Sequence, residues 1–249
     1  MFSLLTRMAA RQRPEQAPVS GSRLARVGQG AWVADRELVY GRGTRLPVRM
    51  VVVAHAPRSL TLYSPVALDP GTLEALSGLG TVTRIVAPNR FHTLFVPRAL
   101  DAFPEAVLLV PPTSAGLEER FAHRAQRIVE TVRLGEGTEL KPVVLRAGLE
   151  ELVLYHDPAE LLVLCDLLFN LHGGSRVQQL GYRLNGIWGR PALSRLQRLL
   201  LLKDRQSLGS FYRWAMAKPF GQISMAHGQM ITTGAREVFY QLFGARAHG

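Results

Sequence analysis

Two apolar runs and a third element in this chain each lead into residues that can hold a metal ion or a proton, and that constrains its folding more than anything else. Val82–Val86 is β-branched and apolar, and leads through Ala87-Pro88 into Asn89-Arg90-Phe91-His92-Thr93. Leu161–Cys165 is equally apolar and ends in Asp166; a third element ends in Ala226-His227-Gly228. Short apolar runs with β-branched residues read as buried strands. Loops at strand ends are where a rigid scaffold gathers distant side chains into one site. His and Asp delivered in this way are the donors of a metal-dependent hydrolase.

The remaining pattern surrounds these runs with more strands and a few helices. Arg49–His55 and Leu60–Ser64, joined by Ala56-Pro57-Arg58-Ser59, read as a hairpin. Asp69–Gly78 opens on Asp-Pro-Gly and closes on glycine, which predicts a short helix. Arg98–Phe103 reads as helical, Ala106–Val110 as a strand and Leu117–Val132 as an amphipathic helix. Leu140–Leu145, Glu151–His156 and Leu161–Asp166 form a second strand-rich block, with Asp157-Pro158-Ala159-Glu160 as the turn between the last two. Residues 190–218 are helical by spacing, and Ala235–Leu242 follows as a final helix. Two strand-rich blocks, each followed by helices, predict an α/β (α+β) protein with two sheets packed together and helices outside.

The chain has 249 residues and 47% hydrophobic content, enough for a real core and too much for a disordered chain. Residues 1–27 carry five basic groups against Glu15 and include the Pro/Gly-containing stretch 14–22. They read as a flexible basic N-terminal extension ahead of a single domain over 28–249. No apolar run approaches the roughly 20 residues that span a bilayer. Cys165 is the sole cysteine, so there is no intrachain disulfide; its apolar setting reads as a buried small hydrophobe. That composition is compatible with a reducing, cytoplasmic setting, although the N-terminal stretch could also serve as a targeting segment.

The net charge is +11, with 27 arginines among 30 basic residues, and seven basic groups face only Asp204 within 190–218. Those helices are the place where nucleic acid would bind if it does. Phe211-Tyr212-Arg213-Trp214 mixes rings and charge as single-strand binders do, but at helical spacing it reads first as core packing. No Gly-x-Ser-x-Gly elbow, phosphate loop or dinucleotide fingerprint is present.

Five short motifs, in order, carry a resemblance. They are Arg49-Met50 before a strand, Ser64-Pro65-Val66, Ala87-Pro88-Asn89 followed by His92, Asp166-Leu167-Leu168-Phe169-Asn170, and His227-Gly228. Together they resemble an uncharacterised branch of the metallo-β-lactamase superfamily over roughly residues 30–245. The resemblance implies a four-layer αββα sandwich of two packed mixed sheets with outer helices. Active members of the superfamily carry His-x-His-x-Asp-His after a strand; here Asn89, Phe91, Thr93 and Leu94 stand in those places. A further His expected near Leu145–Leu149 is absent, and His156, beside the Asp-Pro turn, reads as a surface or capping residue.

A binuclear zinc centre is therefore not expected. Asn89, His92, Asp166, Asn170 and His227 are the expected cleft residues. Among them, His92, Asp166 and His227 could hold a single divalent ion (zinc, iron or manganese). Three functions stay open: a degenerate site that binds an unknown small molecule or protein without classical catalysis, a mononuclear metal-dependent hydrolase, and a nucleic-acid binder through 190–218.

Overall fold

A computed structural model describes residues 15–18, 24–40, 44–113, 121, 123–135, 137–145 and 149–244. Thirteen strands form two sheets among these residues. The first contains β1 (Glu15–Pro18), β2 (Ala25–Gly28), β3 (Ala31–Tyr40), β4 (Thr44–Ala56), β5 (Ser59–Tyr63), β6 (Thr81–Val86), β7 (Val107–Val110) and β8 (Ala125–Arg127). Its order is β1-β3-β4-β5-β6-β7-β8, with β2 also paired to β3. The second runs β13-β12-β11-β10-β9, from β9 (Val132–Gly135), β10 (Thr138–Leu145), β11 (Leu149–His156), β12 (Leu161–Val163) and β13 (Gln222–Ser224).

Why the key strands read as unbroken apolar runs follows from the layering. Side chains alternate between the faces of a strand, and here both faces of each sheet are covered. On β4, Val51 and Val53 enter the core between the sheets, while Met50 and Val52 point to the outer helices. On and just beyond β12, Leu161, Val163 and Cys165 face the other sheet, and Leu162 and Leu164 face outward. All five are fully buried, and each aliphatic there contributes roughly 1.5–3 kcal/mol of transfer free energy. A charge at Val163 would have no place to go.

Helices α1 (Pro70–Leu79) and α2 (Val96–Ala102) cover the first sheet, with Leu76, Val96, Ala99 and Leu100 in the same buried cluster as Met50 and Ile85. Asp69 caps α1 by accepting the Thr72 N–H at 2.7 Å, and Pro70 fixes its first turn. Further helices among the described residues include α3 (Arg176–Asn185), α4 (Arg195–Lys203), α5 (Arg205–Met216) and α6 (Ala235–Phe239), the last continuing as a π turn to Gly244. Phe211 of α5 meets Phe239 and Phe243 edge-on at 5.6 and 5.5 Å over the second sheet. Phe211 and Tyr212 are therefore core, as the spacing predicts, with Trp214 half-buried against them.

The four layers thus run helices, sheet, sheet, helices. β5, β6 and β7 are mutually parallel, as are β12 and β13. Parallel neighbours put their carboxyl ends at the same edge, and crevices beyond such ends are where open α/β sheets bind ligands. His92 follows β6, Asp166 follows β12 and His227 follows β13.

Three expectations change. Residues 15–18 and 25–27, within the stretch expected to be a flexible extension, belong to strands β1 and β2 that pair with β3 and cover an edge that would otherwise present open backbone groups. The helix expected over Leu117–Val132 does not run that far: Phe121 is helical, but Ala125–Arg127 pairs with β7 instead, and 114–120 and 122 lie outside the described residues. His156 is not at the surface. It is fully buried, with Nδ1 at 2.8 Å from Thr138 Oγ1 and Nε2 at 3.2 Å from the Gln29 carbonyl.

Candidate metal centre

The loop after β6 is shaped by Asn89, which is buried. Its Oδ1 accepts the N–H groups of Phe91 at 2.8 Å and His92 at 3.2 Å, a side-chain turn that sends the chain back across the sheet edge. Its Nδ2 donates to Asp166 Oδ2 at 2.9 Å. The preceding Pro88 carbonyl accepts the Leu152 N–H at 2.8 Å, tying this loop to the second sheet. His92 then lies with Nδ1 against Ser64 Oγ at 2.8 Å, leaving Nε2 for the cleft. Ser64 follows β5 with φ of 55°, the left-handed region that a serine rarely adopts.

Asp166 leaves β12 on a turn held by Glu151, a fully buried carboxylate on β11. Glu151 Oε1 accepts the Cys165 N–H at 2.7 Å; Oε2 accepts those of Asp166 and Leu167 at 2.7 and 2.9 Å. Burial and the neighbouring Asp166 charge push Glu151 up to about 8, against the pull of these three donors. Sequence reading passed over Glu151. The available signal was a carboxylate leading directly into the apolar run Leu152-Val153-Leu154.

His227 is placed from three sides. Its Nδ1 donates to the Pro47 carbonyl at 2.8 Å, which orients the ring with Nε2 toward the cleft. Its ring stacks on Phe169 at 5.6 Å. Arg49 Nη1 donates to the Gly228 carbonyl at 2.9 Å while its guanidinium pairs with Asp35, and the Arg49 N–H donates to the Ala226 carbonyl. Asn170 clamps the loops: its N–H donates to the His227 carbonyl, its carbonyl accepts the Gln229 N–H, and its Nδ2 donates to the Gln229 carbonyl.

His92, Asp166 and His227 consequently converge. Asp166 Oδ1 lies 3.5 Å from His92 Nε2 and 3.3 Å from His227 Nε2, and the three donor atoms all fall within 4.8 Å of one another. Burial would push Asp166 up, but the facing His92 and the hydrogen bonds from both imidazoles hold it well below the usual carboxylate range. Separations near 3.4 Å are the ligand–ligand spacing of a four-coordinate shell with bonds of about 2.1 Å. Two imidazoles and one carboxylate suit zinc, iron or manganese and leave positions open. The donor set therefore fits one divalent ion. Phe91 and Leu94 are partly exposed apolar groups without ligating atoms. Beside the centre lies a recess of about 40 Å³, lined by Asn89, Phe91, Leu145, Leu149, Glu151 and Gln197 among others.

No family model matches the chain, and no curated protein matches it in sequence. Solved structures do. The metallo-β-lactamase FIM-1 from Pseudomonas aeruginosa in its mono-zinc form is 13% identical with a TM-score of 0.63, over 95% of this chain and 98% of that one. A metallo-β-lactamase from Pontibacter korlensis is 13% identical with a TM-score of 0.58, over 91% and 99%. The flavodiiron core of Flv1 from Synechocystis sp. PCC6803 is 16% identical with a TM-score of 0.57, over 94% of this chain and 61% of that one. This chain has the metallo-β-lactamase fold, the four-layer sandwich that its motifs imply.

Proposed function

We propose that this protein is a hydrolase of the metallo-β-lactamase fold that works with a single divalent metal ion, held by His92, Asp166 and His227. One observation carries the reading: each of the three groups has its other polar atom tied off, by Ser64, Asn89 and the Pro47 carbonyl respectively, so that Nε2, Oδ1 and Nε2 are left facing one another. Metal-ligating histidines are oriented by such outer partners. The ion supplies Lewis-acid polarisation and a nucleophile at neutral pH when bound.

The chain's own groups divide the rest of the work. Asn89 and Glu151 fix the loops that carry His92 and Asp166, so the donors need no rearrangement to bind. Phe91, Leu145 and Leu149 make the neighbouring recess apolar, which suits a small uncharged part of a substrate. The replaced positions Phe91, Thr93 and Leu94 argue against a second ion. In the competing reading the same cleft binds a small molecule or protein without turnover. The nucleic-acid reading loses support because Phe211 and Tyr212, which would have to stack on bases, are buried.

Metal analysis of mildly purified protein tests the proposal, with Asp166→Ala and His227→Ala alongside and a panel of ester, lactam and phosphodiester substrates. One ion per chain, lost in both variants together with hydrolysis, is expected. No ion, or two, would refute it; one ion without hydrolysis would favour the non-catalytic cleft.

A further inference from the structure

The amphipathic pattern of α3 is inverted. Val177, Leu180 and Leu184 follow one another at helical spacing and are 80%, 57% and 61% exposed. The side turned to the protein is the polar one: Gln178 donates to the Arg45 carbonyl at 2.6 Å, and Tyr182 stacks on Trp188 at 6.1 Å. No residue of α3 is buried. A helix of a soluble domain ordinarily does the opposite, hiding its apolar stripe in the core. The neighbouring α4 extends the surface with Leu196 and Leu199, 38% and 52% exposed, and Arg198 Nη2 donates to the Gly186 carbonyl at the end of α3.

Charge decides what this face fits. From Leu167 to Lys203 the sequence holds no Asp or Glu, and it holds Arg176, Arg183, Arg190, Arg195, Arg198 and Lys203. A second copy of the chain would bring two such arrays together and repel itself. Nucleic acid would meet the charge, but aliphatic Val and Leu side chains do not stack on bases. Apolar side chains protruding among arginines match an interface of acyl chains under anionic headgroups.

We propose that the face formed by α3 and the exposed side of α4 docks this protein peripherally on an anionic lipid surface. Among the described residues no helix is long and apolar enough to cross a membrane, so the contact is one of lying on it, not spanning it. Gln197 of α4 lines the recess beside Asp166, so the docking face borders the candidate centre.

Co-sedimentation of the full chain with phosphatidylcholine vesicles, with and without phosphatidylserine, tests this. Wild-type protein is expected to pellet with the anionic vesicles at low salt and to be released as salt screens the arginines. The pairs Leu180→Glu/Leu184→Glu and Arg183→Glu/Arg195→Glu are each expected to lower binding by about tenfold or more. These exposed changes should leave the melting temperature and metal content unaltered. Wild-type protein that stays in solution with anionic vesicles, or variants that bind them equally well, would overturn the proposal. Self-association abolished by Leu180→Glu, without vesicle binding, would overturn it too and assign the face to a second copy.

Discussion

Gly228→Ala is the sharpest test of how the His227 loop is built. Gly228 has φ of 98°, and a Cβ there would sit 2.0 Å from the Asn170 carbonyl oxygen and 2.4 Å from its carbon. These are backbone atoms, so no rotamer change relieves the contact; one loop must move by more than about 1 Å to restore an ordinary separation. The movement breaks the Asn170–His227 and Gln229–Asn170 backbone bonds and the Arg49 bond to the Gly228 carbonyl. Positive-φ strain costs about 1–2 kcal/mol, and the clash with its lost hydrogen bonds raises the total to roughly 3–5 kcal/mol. At about 2–4 °C per kcal/mol for a chain of this size, the melting temperature should fall by about 6–20 °C. Gly173→Ala provides the control, because Gly173 has φ of 83° with nothing near the added carbon. It should show the strain alone, a few degrees. Calorimetry on both variants, with zinc titration of Gly228→Ala below its melting point, measures the two effects. A Gly228→Ala protein that melts like Gly173→Ala and binds zinc like wild type would refute the clamp.

Ser64→Ala should keep the fold and lower metal affinity by about 10–100-fold, since it removes the group that orients His92; competition against a chelator reads this out. Asn89→Ala should cost about 1–3 kcal/mol in denaturant unfolding, because it frees two loop N–H groups and the bond to Asp166. Acid should destabilise the protein through His55, whose imidazole is held down to about 4 by burial, then by Arg84 and His156. The unfolded chain binds that proton near 6.5 and the folded one does not. Stability present above pH 6.5 is therefore lost as pH falls toward 4, by about 2–3 kcal/mol. Denaturant midpoints of wild type and His55→Gln should converge over that window; curves that stay parallel would contradict it.

Much of the scaffold was legible because burial on both faces writes a strand as an uninterrupted apolar run, as at Leu161–Cys165. The turn at Asp157–Glu160 was legible for a local reason: proline, acidic residues and a left-handed Glu160 act without distant partners. The β8 region was misread because its pairing to β7 is a tertiary choice that overrides helical spacing. His156 was misread because an Asp-Pro turn suggests solvent, whereas its partners, Thr138 and Gln29, come from other strands. Proximity of His92, Asp166 and His227 could be anticipated from motif order. The groups that aim them could not: Ser64, Glu151 and the Pro47 carbonyl act through contacts that join residues 28, 14 and 180 positions apart.

His92 belongs to one sheet, whereas Asp166 and His227 belong to the other. An ion held between them is a rivet through the sandwich, and its binding energy adds to the closure of the two halves. At a hundredfold excess over its dissociation constant that linkage is worth about 2.7 kcal/mol. With the proposed ion bound, the amount of this protein that survives in a cell would follow the supply of the metal.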